Sequence, residues 1–324
     1  MRVVVTGGAG FIGRAIVERL AQRGDTVTAL VRDERRARFL ERHGASLVES
    51  ALVDPAHLTR ALRGADALVH AAGSYRVGIR PSERRAMWDA NVGTTERVLA
   101  AAVAADVPRI VHVSTVNAFG DTHGGVVDES YRRDLSAGFL SWYDETKYRA
   151  HEVAERFIAD GAPVVIVQPG QVYGPHDYSQ ASEQLQRAHA GTLPFIGFAN
   201  TGLAWVHVHD VADAIVAALD RGRVGQAYSL AGDCRRMGES VELASRIGGH
   251  RPPRLRVPTR LLRVVAPLND RVGGLPGSVP NLAEVIRASD GVTYWASHEK
   301  AARELRFTPR PLEQGIADTW GRKR

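Results

Sequence analysis

The chain has 324 residues, 44% hydrophobic and 24% charged, an ordinary globular composition with length enough to bury a core in one large domain or two intimate ones. Its single cysteine, Cys234, excludes an intrachain disulfide and a cysteine-based zinc site, and fits a reducing cytoplasm. The net charge of +6 comes from arginines scattered along the chain without a compact basic block, which points to an anionic small molecule rather than nucleic acid. No apolar run approaches the length of a membrane span, and the first strand begins at once, leaving no room for a signal peptide. The expectation is a cytoplasmic protein with a small-molecule substrate as its partner, no nucleic acid and no membrane.

In chain order, a Val-rich strand at Val3–Thr6 runs into Gly7-Gly8-Ala9-Gly10-Phe11-Ile12-Gly13, and a helix follows over Phe11–Arg23, closed by Gly24. Gly7 permits a tight turn, Gly10 lets the backbone approach a pyrophosphate, and Gly13 lets the helix pack closely on the sheet. The free N–H groups at the helix start suit an anion. Further strands are expected at Thr26–Val31, Ser46–Glu49, Ala67–His70, Arg109–Val113, Val164–Val167 and Ala227–Leu230, with helices at Glu34–His43, Pro55–Arg63, Arg84–Ala105 and Trp142–Ala159. Apolar strands alternating with helices predict an α/β fold, a doubly wound parallel sheet of the Rossmann type, with a smaller, mostly helical substrate lobe.

After Pro169 the rhythm changes. Residues 170–202 are rich in Gly, Gln, His and Pro. Ala204–Asp220 returns to a strand-then-helix pattern, with Asp210 and Asp213 placed to cap the helix. From about Asp233 the chain reads as irregular and helical, and the basic run from Arg251 to Arg263 reads as a Pro-punctuated surface helix. The partition is residues 1–169 plus 203–232 for a dinucleotide-binding domain and 170–202 plus 233–324 for a substrate-binding lobe. His207 and His209 alternate as two metal ligands on a strand would, but read as a structural pair, and no metal is expected.

Tyr143 and Lys147 open the helix at Trp142–Ala159 four residues apart, so they share a face. A nearby ammonium favours a phenolate, so such a pair can act as acid or base on a carbonyl or hydroxyl oxygen. The strand ending at Ser114-Thr115 offers a hydroxyl, from either residue, to the same oxygen. Asn91 opens Asn91-Val92-Gly93-Thr94-Thr95 on the preceding helix.

Together these residues resemble the extended short-chain dehydrogenase/reductases, the NAD-dependent epimerase/dehydratase family. The match covers Thr6 to Gly13, His70-Ala71-Ala72-Gly73, Asn91 to Thr94, Ser114-Thr115 with Phe119-Gly120, Tyr143 with Lys147, and Pro169-Gly170-Gln171-Val172-Tyr173-Gly174-Pro175, in the family's order. The tail, with Val257 to Leu268 and Tyr294-Trp295-Ala296-Ser297, is similar to dihydroflavonol-reductase-like and 3β-hydroxysteroid-dehydrogenase-like members. The resemblance implies that Tyr143 is the catalytic acid/base, that Lys147 lowers its pKa and holds the nicotinamide ribose, and that Thr115, five residues before Gly120, is the catalytic hydroxyl. It implies cofactor contacts from Gly7, Gly10, Phe11, Ile12, Gly13, Ala71, Ala72, Gly73, Asn91, Ser114, Tyr143, Lys147, Pro169 and Val172, and a possible homodimer through a four-helix contact.

Arg32 ends the second strand where an acidic residue would favour NAD, and a guanidinium suits a 2′-phosphate, so the expected cofactor is NADP, with NAD possible. Ala51 stands where the family's adenine-contacting Asp is expected, with Asp54 placed to cap the next helix, and Gln168 replaces an Arg often found before Pro169. Thr115 is followed by Val116-Asn117 rather than the Asp-Glu of the sugar dehydratases. The leading expectation is an NADP-dependent oxidoreductase acting on a fairly apolar ketone, aldehyde or the corresponding alcohol. A nucleotide-sugar epimerase is the alternative, and a non-catalytic NADP-binding regulator is a further one. Trp142, beside Tyr143, is a candidate wall of the substrate pocket.

Overall fold

The structure, a computed structural model, describes residues 1–260, 262–264, 266 and 280–321. Of the tail segment 257–268, Leu261, Val265, Pro267 and Leu268 lie outside the described residues.

Eleven strands are present among them: β1 (Arg2–Thr6), β2 (Thr26–Val31), β3 (Ser46–Glu49), β4 (Ala67–His70), β5 (Ile110–Val113), β6 (Val164–Pro169), β7 (Gln171–Tyr173), β8 (Gly202–His207), β9 (Ala227–Leu230), β10 (Asp233–Arg236) and β11 (Thr293–Tyr294). Seven form one parallel sheet in the order β3-β2-β1-β4-β5-β6-β9. The order reverses between β1 and β4, and an open α/β sheet leaves a crevice at such a point, beyond the carboxyl ends of its strands.

The helices over this region are α1 (Phe11–Gln22), α2 (Glu34–Ala37), α3 (Pro55–Leu62), α4 (Arg84–Trp88), α5 (Thr94–Ala104), α6 (Trp142–Ala159), α7 (Gln180–His189), α8 (Val208–Arg221) and α9 (Met237–Ile247). Alternate side chains of each strand feed opposite cores. Val3, Val5, Val111, Val113, Val165 and Val167 pack with α1 and α8 on one face. Val4, Ile110, Val164 and Ile166 pack with α3, α5 and α6 on the other. Both faces are covered, which is why these strands read as continuous apolar runs.

The second sheet holds β8 against β7, β10 and β11. It departs from the expected irregular, helical stretch after Asp233, because β10 and β11 are too short and too polar to carry a strand pattern of their own. Its core is Tyr173, Trp205, Leu185, Met237, Val241, Tyr294, Leu312 and Ile316. The chain crosses from β6 into β7 through Gly170, where a Cβ would stand 2.2 Å from the Ala204 carbonyl oxygen. Only glycine lets β8 come that close.

Three expected elements differ in detail. Glu34–His43 is a single turn of α-helix followed by a 3₁₀ helix over Arg38–His43, ended by Gly44 at φ +79°. Arg84–Ala105 is interrupted by a π turn over Asp89–Gly93. Asp210 and Asp213 do not cap α8. His207 does, its ring Nδ1 accepting the His209 N–H at 3.3 Å, while Asp210 pairs with Arg310 and Asp213 with Arg19. The cap is set by where β8 ends, one residue before the helix, and that depends on the second sheet.

Candidate active site

The crevice at the β1/β4 crossing is a cavity of about 420 Å³. The glycine-rich turn forms one wall. Gly7 has φ +73°, and a Cβ there would lie 2.6 Å from the Ala72 nitrogen. A Cβ on Gly13 would lie 2.0 Å from the Gly7 carbonyl oxygen. The turn therefore folds against its own helix and against the segment after β4 only because both residues lack a side chain. Gly10 caps α1 without a side-chain acceptor, and the first turn holds no acidic residue, so the leading N–H groups stay available to an anion.

β4 delivers Ala71, Ala72 and Gly73 to the facing wall, and β5 delivers Ser114 and Thr115 to the floor. Thr115 begins a 3₁₀ turn, its Oγ1 accepting the Asn117 N–H at 3.2 Å. Helix α6 supplies Tyr143 and Lys147. Ser141 caps it by accepting the Asp144 N–H at 3.0 Å. Asp144 in turn forms a buried double hydrogen bond with the Arg133 guanidinium at 2.7 and 3.0 Å. Glu284, from the helix Leu282–Ser289, accepts the Trp142 N–H at 2.7 Å. The reacting end of α6 is thus fixed from three directions.

Tyr143 is 7% and Lys147 9% exposed. Burial raises the Tyr143 phenol above its usual value, with Tyr75 adding to the rise, the Thr115 hydroxyl opposing it and Asp144 adding a little. Burial also lowers the Lys147 ammonium to about 8, and its Nζ donates to the Val113 carbonyl at 3.3 Å. Both shifts are set first by removal of the groups from water.

Of the residues singled out from sequence, Gly7, Gly10, Phe11, Ile12, Gly13, Ala71, Ala72, Gly73, Ser114, Thr115, Tyr143, Lys147, Pro169 and Val172 line this one cavity. Arg32 and Asn91 do not. Arg32 is exposed just past β2. Asn91 is 2% exposed in the π turn, with Oδ1 accepting the Ser74 N–H at 2.7 Å and Nδ2 donating to the Ser74 carbonyl at 3.1 Å and to Thr146 Oγ1 at 2.9 Å. It fastens the loop after β4 to α6 rather than facing a ligand. Trp142 turns to α4, its indole N–H donating to the Arg84 carbonyl at 2.9 Å. Ala51 is exposed, and Asp54 caps α3 by accepting the Ala56 N–H at 2.9 Å.

The cavity also takes in Ser74, Tyr75, Asp177, Tyr178 and Ser179, none of which carried a motif, together with Asn117 and Gln171, which were not singled out as site residues. Their one signal was position, since most sit on the loops after β4 and after Pro169. Tyr75 meets the Tyr143 ring edge-on at 4.8 Å, and Tyr178 is 90% exposed at the mouth. Among the described lining residues only Lys147 and Asp177 are charged.

A model of the NAD dependent epimerase/dehydratase family matches residues 3–231. A 4-hydroxy-2-methyl-3-oxo-4-farnesyl-3,4-dihydroquinoline-1-oxide ketoreductase from Stigmatella aurantiaca is 31% identical over 76% of this chain and 71% of its own. The crystal structure of gox2253 superposes with a TM-score of 0.82 at 31% identity, covering 98% of this chain and 97% of that one. A double mutant of DesIV, a dTDP-glucose 4,6-dehydratase from Streptomyces venezuelae solved with NAD bound, gives 0.77 at 25% identity over 99% and 96% of the two chains.

Proposed function

The chain belongs to the NAD-dependent epimerase/dehydratase family, and on that premise we propose that it is an NADP-dependent carbonyl reductase of a neutral, fairly apolar ketone or aldehyde. The observation that carries this reading is the convergence of Thr115, Tyr143 and Lys147 in one cavity with the glycine turn.

The cradle fits a dinucleotide, since the turn closes this tightly only with glycine at 7 and 13, and the start of α1, with no side-chain cap, suits the pyrophosphate. Gly7, Gly10 to Gly13, Ala71 to Gly73, Ser114, Pro169 and Val172 would hold the cofactor, and exposed Arg32 would meet a 2′-phosphate. When bound, the cofactor supplies or accepts a hydride. The protein contributes the rest. Thr115 and Tyr143 donate hydrogen bonds to the carbonyl oxygen. Tyr143 transfers its proton to that oxygen as the carbon is reduced, leaving a phenolate and an alcohol. The raised phenol pKa keeps the proton in place until the oxygen becomes basic. The Lys147 ammonium stabilises the phenolate that results.

Two further observations favour a neutral carbonyl over a sugar nucleotide. No arginine lines the cavity among the described residues, so a diphosphate lacks a guanidinium partner, and Asp177 repels one. Thr115 precedes Val116 and Asn117, without the carboxylates of the dehydratases. In the partition we propose, the large sheet holds the cofactor and the smaller one the carbonyl compound. The β8–α8 unit is shared, its strand in the small sheet and its helix on the large one.

The test is NADPH oxidation against a panel of aryl ketones, steroids, aldehydes and nucleotide sugars. Tyr143→Phe is expected to lose at least about 100-fold in kcat while retaining cofactor affinity. Full turnover by that variant, or purified protein carrying tightly held oxidised cofactor and turning over a sugar nucleotide, would overturn the reading. Arg32→Glu is expected to weaken NADPH at least about ten-fold more than NADH, a loss worth about 1.4 kcal/mol, measured by fluorescence titration.

A further inference from the structure

Each reduction takes the Tyr143 proton, and the phenol, on a residue only 7% exposed, must be resupplied from solvent. A row of polar side chains leads away from the cavity floor. Ser114, 5% exposed, lines the cavity one residue beyond the carbonyl that Lys147 Nζ touches. Its Oγ is 3.0 Å from His151 Nδ1. His151 Nε2 is 3.6 Å from Glu155 Oε1, one helical turn further along α6. The His151 side chain is 13% exposed and that of Glu155 51%, so the path starts in the cavity and ends in water. His151 and Glu155 lie on the same face of α6 as Lys147, because 147, 151 and 155 are spaced by four.

We propose that Ser114, His151 and Glu155 form a proton relay that recharges the Tyr143–Lys147 pair from solvent. This rests on the reductase reading above. After turnover the Tyr143 phenolate takes a proton from the Lys147 ammonium. The neutral amine takes one from the Ser114 hydroxyl through water in the cavity, as Ser114 takes the Nδ1 proton of His151. Solvent returns a proton to His151 at Nε2, beside Glu155, and tautomer exchange through water moves it back to Nδ1, which resets the imidazole. One proton enters and one leaves at every station, so charge is conserved.

The groups that bear on this path are few. Glu155 is held below its usual value first by the hydrogen bond and charge of His151 and then by Arg132, and Tyr148 feels Glu155 from the same helix. From β5, His112 is the other imidazole in range, and burial keeps it neutral, with His70 and Lys147 adding to that effect. Neither His112 ring nitrogen has a hydrogen-bond partner, so it does not compete for the proton.

The test compares wild type with His151→Gln, Ser114→Ala and Glu155→Gln, with NADPH and the best carbonyl of the panel in weak buffer. His151→Gln can still hydrogen-bond Ser114 but cannot carry a proton. Its kcat is expected to fall about ten-fold or more, with KM values for carbonyl and cofactor nearly unchanged, and to recover on adding imidazole. The solvent deuterium isotope effect on kcat should rise in the same variant. Ser114→Ala should show the same fall without imidazole rescue, and Glu155→Gln a smaller one. An unchanged kcat in His151→Gln overturns the relay, as does a fall that imidazole leaves in place with a lowered unfolding midpoint, the mark of a packing role. A wild-type protein that reduces no carbonyl removes the reductase reading and the relay with it, whereas an active wild type with an equally active variant removes the relay alone.

Discussion

At the scale of single residues, the site is governed by removal from water. Lys147 is the clearest case, lowered to about 8 by burial from an ordinary 10.5. In the window between those values the unfolded chain binds more protons than the folded one, so stability contributed by this group rises with pH from about 8 to about 10.5. Below pH 8 both states are protonated and the buried ammonium carries its full cost, on the order of 3 kcal/mol. Lys147→Met should therefore raise the unfolding free energy of the cofactor-free protein at pH 7, and the difference from wild type should shrink as pH rises to 10, read from urea titrations at several pH values. A flat difference would show that the ammonium is already well solvated or paired. His70 follows the same logic, pushed down to about 3 by burial and then by Lys147. It stays neutral and spends its nitrogens on Thr6 Oγ1 at 2.7 Å and Thr95 Oγ1 at 3.2 Å, tying β1, β4 and α5 together below the cavity.

At the scale of elements, the reactive end of α6 depends on groups far away in sequence. Glu284, 1% exposed, accepts the Trp142 N–H and is itself held by the Asn281 side-chain amide at 3.0 Å. Glu284→Ala leaves a partly buried N–H without its acceptor, at a cost of about 1 kcal/mol or more. The expected result is a lower urea midpoint together with a kcat loss larger than any change in KM, because Tyr143 is the next residue along. Glu284→Gln keeps a carbonyl acceptor and should restore most of both. The π turn at Asp89–Gly93 is the other such device. Thr94 Oγ1 donates to the Asp89 carbonyl at 3.0 Å and Thr95 Oγ1 to the Asn91 carbonyl at 2.7 Å, which holds the widened turn and aims Asn91 at Ser74. An apolar stripe continuing from Met87 through Val92 to Leu99 gives no sign of that extra residue, so the segment reads as one helix.

At the scale of the whole molecule, the two sheets are joined by a small number of specific ties. Gly170 carries the chain between them, and Arg310 anchors the C-terminal segment to α8. The Arg310 guanidinium reaches Asp210 at 2.7 and 3.0 Å and Asp318 at 2.8 Å, and its backbone N–H also donates to Asp210 at 2.9 Å. The Asp210 side chain is 10% exposed and that of Arg310 23%. Arg310→Met should destabilise by about 2–3 kcal/mol, somewhat less than the loss of a fully buried pair, because it strands a carboxylate that water reaches poorly. Equilibrium unfolding would show this as a shifted midpoint, and a shift no larger than that of a surface arginine substitution would refute it.

What the sequence determined by itself was local and periodic. The β-branched runs fixed all seven strands of the large sheet within a residue or two, and the glycines at 7, 10 and 13 marked the turn, because a missing Cβ is as visible in sequence as in space. That Tyr143 and Lys147 share one face of a helix was legible through their spacing, whereas the choice of Thr115 over Ser114 came only from the family resemblance. Only the tertiary structure decided what depends on partners remote in the chain. It drew β10 and β11 into a second sheet with β8, gave the cap of α8 to His207, and turned Asn91 and Trp142 away from the cavity. It also brought Tyr75, Asp177 and Tyr178 to the cavity wall and buried the Tyr143 phenol, which raises it. Hydrogen-bond partners and dielectric surroundings belong to the packed chain, and no window of neighbouring residues contains them.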